Sequence, residues 1–350
     1  MNAGAVVGGL FEIKVPQTLV DNTAGTFTNK GTINKAGTGT ATIGINNDLT
    51  DPKGTSQING TQGILKFKKS AIHGNGPVNV ASAAEIDFDS GLQQTGGAFT
   101  LNGTLAVTGD LLVSGGSLTA SGSVQNGTTI SVAANGDGSG GTFTQSNGTA
   151  NLTFTAMTVA NAATFSGGVF KMNGSNTLTA GTVDDASGGV FQMVGTNTVT
   201  AGTTTIDSGG TLTGVGGLIF NTATFTNNGL IDLRASNGSY LVGTMSVNGT
   251  GGANSASFTQ NSGGTLDLGL ASTSTYSSLI VNGTAGMYGL VAVTDINGFN
   301  ASMGNQFWII DANSLTLNCT NSLPGLGFGH WNDQVVYQNG EYEDQLRITM

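Results

Sequence analysis

Apolar and polar residues alternate along most of this chain in short runs, and glycine-rich stretches separate the runs. The stretch SGGVFKMNGSNTLTAGTVDDA begins at Ser166, and the related stretch SGGVFQMVGTNTVTAGTTTID begins at Ser187, 21 residues later. Alternation with a period of two is typical of β-strands with one buried face, and no helical periodicity extends beyond a few turns. The sequence therefore predicts an all-β protein with internal repeats.

Aligning the two copies predicts which side chains face the interior. Phe170 aligns with Phe191 and then with Leu212, and Met172 aligns with Met193, whereas the polar residues between them vary. A fixed period of this kind indicates a solenoid, because stacked coils bury columns of like residues that one coil cannot bury alone. We therefore predict a right-handed parallel β-helix with about 21 residues per coil and a C-terminal β cap.

A second motif and a change of composition suggest how the chain is organised. TFTNKGTI at Thr26 returns as TFTNNGLI at Thr224. We expect an N-terminal cap and first coils over 1–75, regular coils over 76–269, and C-terminal coils with the cap over 270–350. Glycines are expected at bends that need a positive φ or a close approach of two backbones.

Composition and charge narrow the class of protein. The 350 residues include 58 Gly, and 37% are hydrophobic while 9% are charged, which favours a folded chain over a disordered one. The net charge of −10 argues against nucleic-acid binding, which requires a basic stripe. Residues 1–69 carry +3 and the remainder −13. No apolar run approaches the ~20 residues that a membrane span needs.

The single cysteine, Cys319, excludes an intrachain disulfide. We expect it to be a small buried hydrophobe, with an intermolecular disulfide as the alternative.

Three segments near the C-terminus resemble the end of autotransporter passengers and filamentous-haemagglutinin-like bacterial surface proteins. They are YSSLIVNGTAGMYGLVAV (276–293), NGFNASMGNQFWII (297–310) and WNDQVVYQNGEYEDQLRIT (331–349). In those families a Tyr-x-x-Leu-x-Val-x-Gly strand precedes a Gly-Phe stretch, and a Trp…Val-x-Tyr…Leu strand pair finishes the solenoid. The resemblance implies a β-solenoid on the cell surface that acts as an adhesin.

Two carboxylate clusters are the main candidates for chemistry. Glu85, Asp87 and Asp89 alternate with Ile86 and Phe88, so the three acids share one face of a strand. They suit either a solvated outer face or a site that binds a cation or acts on a sugar.

The second cluster is the adjacent pair Asp184–Asp185, which aligns with Thr205 and Ile206 in the next coil. A catalytic role is the lesser expectation for this pair.

Other familiar motifs are weak. His73 and His330 are far apart and lack metal-ligand spacing, and GDGSGG (136–141) is a single copy of a turn that binds calcium only in tandem. No nucleophile motif or phosphate-binding loop is present. We therefore predict no catalytic residue, no cofactor-binding residue and no metal ligand, and we expect the protein not to be an enzyme.

Two polar patterns admit both a structural and a functional interpretation. NGT occurs at 59, 102, 126, 147, 248 and 282, where it suits an Asn-Gly turn better than a glycosylation acceptor. Thr177-x-Thr179 aligns with Thr198-x-Thr200, which resembles the threonine arrays of ice-binding solenoids. The next coil places Ile219 and Asn221 there, so that array would be two coils tall.

The sequence as a whole favours an extracellular or cell-surface structural and adhesive β-solenoid. Its expected partners are other copies of itself, joined head to tail into fibres, and cell-surface glycans or matrix. A basic end with Lys66, Lys68 and Lys69 would meet an acidic end; the acidic residues there are Asp333, Glu341, Glu343 and Asp344. A carbohydrate-active enzyme on the same fold is the alternative, and an ice-binding threonine face is the third possibility.

Overall fold

The computed structural model describes most of the chain. The described residues are 6–7, 9–19, 26–44, 46–49, 56–68, 71–73, 76–89, 92–94, 98–114, 117–120, 123–133, 142–145, 149–152, 156–234, 242–322, 332–337 and 344–349. Backbone contacts divide the chain into two compact units, one of residues 1–164 with 168–170 and one of residues 165–167 with 171–350.

The described residues form 35 β-strands and no helix, which confirms the all-β prediction. The first nineteen strands are β1 Val6–Val7, β2 Leu10–Ile13, β3 Gln17–Leu19, β4 Thr26–Asn29, β5 Thr32–Lys35, β6 Thr40–Ile43, β7 Asn46–Leu49, β8 Gln57–Gly60, β9 Gly63–Phe67, β10 Ala71–His73, β11 Val78–Val80, β12 Ala84–Phe88, β13 Leu92–Gln94, β14 Ala98–Leu101, β15 Thr104–Ser114, β16 Ser117–Ala120, β17 Ser123–Ala133, β18 Thr142–Gln145 and β19 Thr149–Leu152. The others are β20 Ala156–Phe165, β21 Gly168–Gly174, β22 Thr177–Asp185, β23 Gly189–Gly195, β24 Asn197–Ile206, β25 Thr211–Asn227, β26 Leu230–Asp232, β27 Gly243–Asn248, β28 Ala256–Gln260, β29 Thr265–Leu270, β30 Ser278–Met287, β31 Leu290–Asp295, β32 Gln306–Leu317, β33 Thr320–Ser322, β34 Asn332–Tyr337 and β35 Asp344–Thr349.

Strands of successive coils pair in parallel within each unit. In the first unit Val78 of β11 lies between Ile58 of β8 and Phe99 of β14. In the second unit Thr198 of β24 lies between Thr177 of β22 and Ile219 of β25, so each of these coils is 21 residues long. The chain is therefore a parallel β-solenoid with coils of about 21 residues, as the sequence predicts. Its right-handedness stays a prediction.

The interior of the coils is filled by aliphatic and aromatic columns. Phe170, Met172, Phe191 and Met193 each have 0% exposed surface, which confirms their predicted inward orientation. Phe191 stacks directly on Leu212 of the next coil. Each such side chain contributes ~1.5–3 kcal/mol by leaving water, so the columns are the main source of stability.

Glycines at equivalent bends let consecutive coils approach closely. Gly174, Gly195 and Gly216 have φ values of 102°, 97° and 91°. A Cβ atom on Gly195 would lie 2.4 Å from the carbonyl oxygen of Gly174. Because L-residues avoid this φ range and the space is already occupied, glycine is required at this bend in each coil.

The TFTN motif places a buried asparagine inside a bend. Asn29 and Asn227 each have 0% exposed surface. The side-chain amide of Asn29 donates to the carbonyl of Gln57 at 3.1 Å, and its Oδ1 accepts from the N–H of Gly31 at 3.1 Å. Asn227 makes the equivalent bonds in the second unit. The motif recurs because it satisfies backbone groups that a buried bend would leave unpaired.

The last strands of the second unit run antiparallel. β35 pairs with β32 on one side and with β34 on the other, both antiparallel. This is the strand pair that the C-terminal resemblance implies. The protective role of this end, and the three-part division of the chain at 75 and 269, stay predictions.

Among the described residues there is no helix long and apolar enough to cross a membrane.

Candidate functional surface

The three alternating acids of β12 lie next to a lysine of the preceding coil. Asp87 is in register with Lys66 of β9. The Lys66 ammonium donates to Asp87 at 2.6 Å and to Asp89 at 2.7 Å, and these bonds raise the pKa of Lys66. Ile86 and Phe88 are fully buried, as predicted. The cation predicted for this face is therefore supplied by the chain itself.

Glu85 stands apart from that ion cluster. Burial, and then the charge of Asp87, raise the pKa of the Glu85 carboxyl. A cleft of about 300 Å³ lies beside it, lined mainly by backbone and small side chains of residues 82–84 and by Gly63, Ile64 and Thr104. Two carboxyls with different environments beside a cleft are the minimum that general acid–base chemistry needs.

The pair Asp184–Asp185 is split by strand geometry. Successive residues of a strand point to opposite faces, so Asp184 faces outward and is half-buried while Asp185 faces inward with 0% exposed surface. The register with Thr205 and Ile206 is as expected. In this conformation the Asp185 carboxyl cannot contact a substrate.

Asp185 is a buried acid without a compensating partner. Neither of its carboxylate oxygens has a hydrogen-bond partner in the described structure. Burial raises the pKa of Asp185 to about 8, and the backbone N–H groups of Phe191 and Thr211 offset part of the rise without reaching hydrogen-bond geometry. The side chain is therefore protonated in the folded protein at neutral pH.

A second ion cluster lies in the C-terminal unit. Arg234 donates to Asp232 from Nε at 3.0 Å and contacts Asp267 from a terminal nitrogen at 2.8 Å. The bond to Asp232 is the main reason that the pKa of Arg234 is raised. As with Lys66, one base is shared by two acids, which is typical of a structural ion pair.

Several lysines of the basic N-terminal region are already paired or buried. Lys14 contacts Glu12 at 2.8 Å, and Lys66 contacts two aspartates. Lys35 has 0% exposed surface, and its ammonium donates to the carbonyls of Gly37 and Gln62. Burial lowers the pKa of Lys35. The sequence counts all of these as surface charge, so the free charge of this end is smaller than expected.

The remaining motif residues are only partly within the described structure. The backbone of His73 lies in β10, whereas its side chain, His330 and GDGSGG (136–141) lie outside the described residues. Cys319 is half-exposed, so the expectation of a buried cysteine is wrong; it lies between two strands, where the coil is open to solvent. Within the described residues no group of three or more His, Cys, Asp or Glu could hold a metal ion.

The Asn-Gly turn interpretation is wrong at three described sites. Asn59, Asn248 and Asn282 lie in strands, whereas Asn102 lies in a bend. The outward position of these strand asparagines allows amides of successive coils to bond to one another, and Asn59 accepts such a bond from Asn79 at 2.9 Å. Stacked amides of this kind stabilise parallel strands.

The longest of these amide columns lies in the second unit and continues the predicted threonine array. Asn221 donates to Thr200 at 3.5 Å, Asn248 donates to Asn221 at 3.1 Å, and Asn282 donates to Asn248. The two-coil T-x-T array is in the expected register, and Ile219 interrupts it as expected. We call Thr200, Asn221, Asn248 and Asn282 the amide ladder.

A taller hydroxyl array lies on the strand segments that follow the next bend, and sequence alignment missed it. Two outward columns, here called the threonine face, run through six coils of the second unit. The first column is Thr182, Thr203, Thr224, Ser257, Thr284 and Ser314; the second is Asp184, Thr205, Thr226, Thr259, Gly286 and Thr316. Ten of the twelve positions carry a hydroxyl.

The threonine face is exposed and its hydroxyls are not consumed by internal bonds. Every residue of the first column is exposed except Ser257, which is half-buried. At its far end a cleft of about 280 Å³ runs between Ser257 and Thr316 beside Tyr288. The structure gives the amide ladder bonds between its own side chains, whereas the side chains of the described threonine face make none to one another.

No protein-family model matches this chain, and a search of curated proteins finds no match. The resemblance to autotransporter passengers and filamentous-haemagglutinin-like proteins therefore stays a prediction.

Proposed function

We propose that this chain is an extracellular or cell-surface structural and adhesive β-solenoid. The observation that supports this most is the regular display of polar side chains on the outer strands: the amide ladder and the threonine face extend through consecutive coils. The interior is filled with apolar columns. The surface therefore repeats one polar contact many times.

Adhesion by such a surface is multivalent. A single hydrogen bond contributes only ~0.5–1.5 kcal/mol after competition with water. When several equivalent contacts form on one rigid scaffold, the later ones are effectively intramolecular and the combined affinity rises steeply. Cell-surface glycans and matrix polymers offer repeating hydroxyl and amide groups that match this geometry.

A carbohydrate-active enzyme is the second candidate, and one observation favours it. Glu85 has a raised pKa and lies beside a cleft, with Asp87 two residues away on the same face. Residues i and i+2 of a strand are ~6.5–7 Å apart. Inverting glycosidases hold their two carboxyls at roughly this distance. Against this assignment, Asp87 is engaged by Lys66.

One experiment separates the two functions. Purified protein is incubated with insoluble neutral and acidic polysaccharides, and both cosedimentation and the release of reducing ends are measured. Adhesive display predicts binding without product. Asn248→Lys, which places a charge in the amide ladder, should weaken binding several-fold, whereas Gln192→Lys on another outer strand should not.

Release of reducing ends by the wild type, lost in Glu85→Gln, would replace adhesion by enzymatic activity as the function of this chain. Absence of both binding and product would leave neither candidate standing for these polymers.

A further inference from the structure

The threonine face is ordered in two dimensions. Along the coil stack its rows repeat at the strand spacing of ~4.8 Å, and within each row the two side chains are two residues, or ~6.5–7 Å, apart. The rows Thr203/Thr205, Thr224/Thr226 and Ser257/Thr259 are consecutive in the pairing register. A partner that contacts every row at once must itself be periodic on this scale.

The chemistry of the face selects a neutral partner. Its second column begins with Asp184, and the five rows from Thr203/Thr205 to Ser314/Thr316 carry no charge. Each threonine presents a methyl group beside its hydroxyl. Neither column contains an aromatic ring on which a sugar could stack, and Tyr288 lies only at one end.

Its size excludes a stable dimer through this face alone. Six rows at ~4.8 Å cover about 24 Å, and the two columns cover ~7–10 Å, which gives roughly 250 Å². A stable protein interface buries about 800 Å² on each partner. A crystal lattice does not face this limit in the same way, because its hydrogen-bonding sites match all rows without costing any conformational entropy of the partner.

We infer that the threonine face binds ice, with its hydroxyls and methyl groups holding a first layer of water in register with the lattice. Water bridges between a protein hydroxyl and a second polar group are nearly as favourable as direct hydrogen bonds. A fixed array of hydroxyls lowers the entropy cost of ordering those waters, because the protein side is already rigid. This inference rests on the proposed display function and names the partner of one face.

The test uses two lysine substitutions on one strand. Thr205 lies in the threonine face and Thr198 lies on the opposite side of the bend in the same strand, and both are half-buried. Wild type, Thr205→Lys and Thr198→Lys are compared by the gap between melting and freezing temperatures of a seeded ice crystal, by crystal shape, and by adsorption of fluorescently labelled protein to ice. Circular dichroism melts verify that each variant folds.

The expected result is a measurable gap and faceted crystals for wild type and Thr198→Lys, and loss of both for Thr205→Lys. Thr226→Lys, one coil further, serves as a second variant and should show the same loss. Equal loss in Thr198→Lys and Thr205→Lys would overturn the assignment to this face, and absence of any ice effect in folded wild type would overturn ice as the partner.

Two other occupants are outcomes of the same samples. Cosedimentation of wild type with a crystalline neutral polysaccharide, lost in Thr205→Lys and without any ice effect, would replace ice by that polymer and leave the display function intact. Dimerisation in sedimentation velocity, lost in the same variant, would replace ice by a second copy.

Discussion

The buried carboxyl of Asp185 makes a quantitative prediction about the stability of the fold. Its pKa is about 8 in the folded protein against 3.8 for an exposed aspartate. Between these values the folded chain binds more protons than the unfolded chain, so the free energy of unfolding falls as the pH rises. The slope approaches ~1.4 kcal/mol per pH unit, and the loss is complete above the folded pKa.

At pH 7 the carboxyl is mostly protonated in the folded state, and taking up that proton costs roughly 4 kcal/mol relative to an exposed aspartate. Asp185→Asn replaces the acid with a neutral group of the same size and removes this cost. The amide needs an acceptor, however, and an unsatisfied amide returns ~1–3 kcal/mol of the gain. We therefore expect the variant to equal or exceed the wild type in stability at pH 8, and the wild type to recover towards pH 5.

The measurement is denaturant unfolding of both proteins at pH 5, 6, 7 and 8, because the difference in pH slope between them isolates Asp185 from the other acids. Asp311→Asn, which removes the same charge from a half-exposed position of β32, is the matched control and should retain the wild-type slope. Parallel pH slopes for wild type and Asp185→Asn would show that the carboxyl is not buried and unpaired as described.

Two further predictions concern the core and assembly. Phe191→Asp should abolish the folded state because an unpaired buried charge costs several kcal/mol, whereas Gln192→Asp on the outer side of the same strand should melt normally; a β-rich, cooperatively melting Phe191→Asp protein would refute the interior column. If opposite charges join the two ends of the chain into fibres, light scattering should show the assemblies dissolving between 0.1 M and ~1 M salt, where screening shortens from ~10 Å to ~3 Å. Lys68→Glu, which leaves the Lys66 pairs intact, should have the same effect at low salt, and a monomer at every salt concentration would exclude the head-to-tail contact.

The interior was predictable from the sequence where neighbouring coils have equal length. Phe191 and Leu212 are 21 residues apart and stack as the alignment predicts. The threonine face was not predictable, because its row intervals grow from 21 residues at Thr203 and Thr224 to 33 at Thr224 and Ser257. Inserted loops change the interval without changing the stacking, so a fixed period loses the alignment.

Charged residues were the other limit of sequence reasoning. Lys35 and Asp185 occupy inward positions of their strands, yet their charge predicts a solvated surface. A bend supplies backbone carbonyls to the Lys35 ammonium, and protonation neutralises Asp185. Both solutions depend on three-dimensional neighbours, and the sequence shows only the residue type.

The strand register links the two faces of the solenoid and thereby links stability to function. Val183, Phe225 and Phe258 face inward beside Thr182, Thr224 and Ser257, which face outward. A slip of one residue would bury the hydroxyls and expose the phenyl rings, so the apolar columns hold the threonine face in register. A loop insertion leaves both columns intact, whereas one core substitution disturbs several rows at once. A binding surface of this kind depends on the spacing of many weak contacts, which is why no single residue of this chain carries the signature of a site.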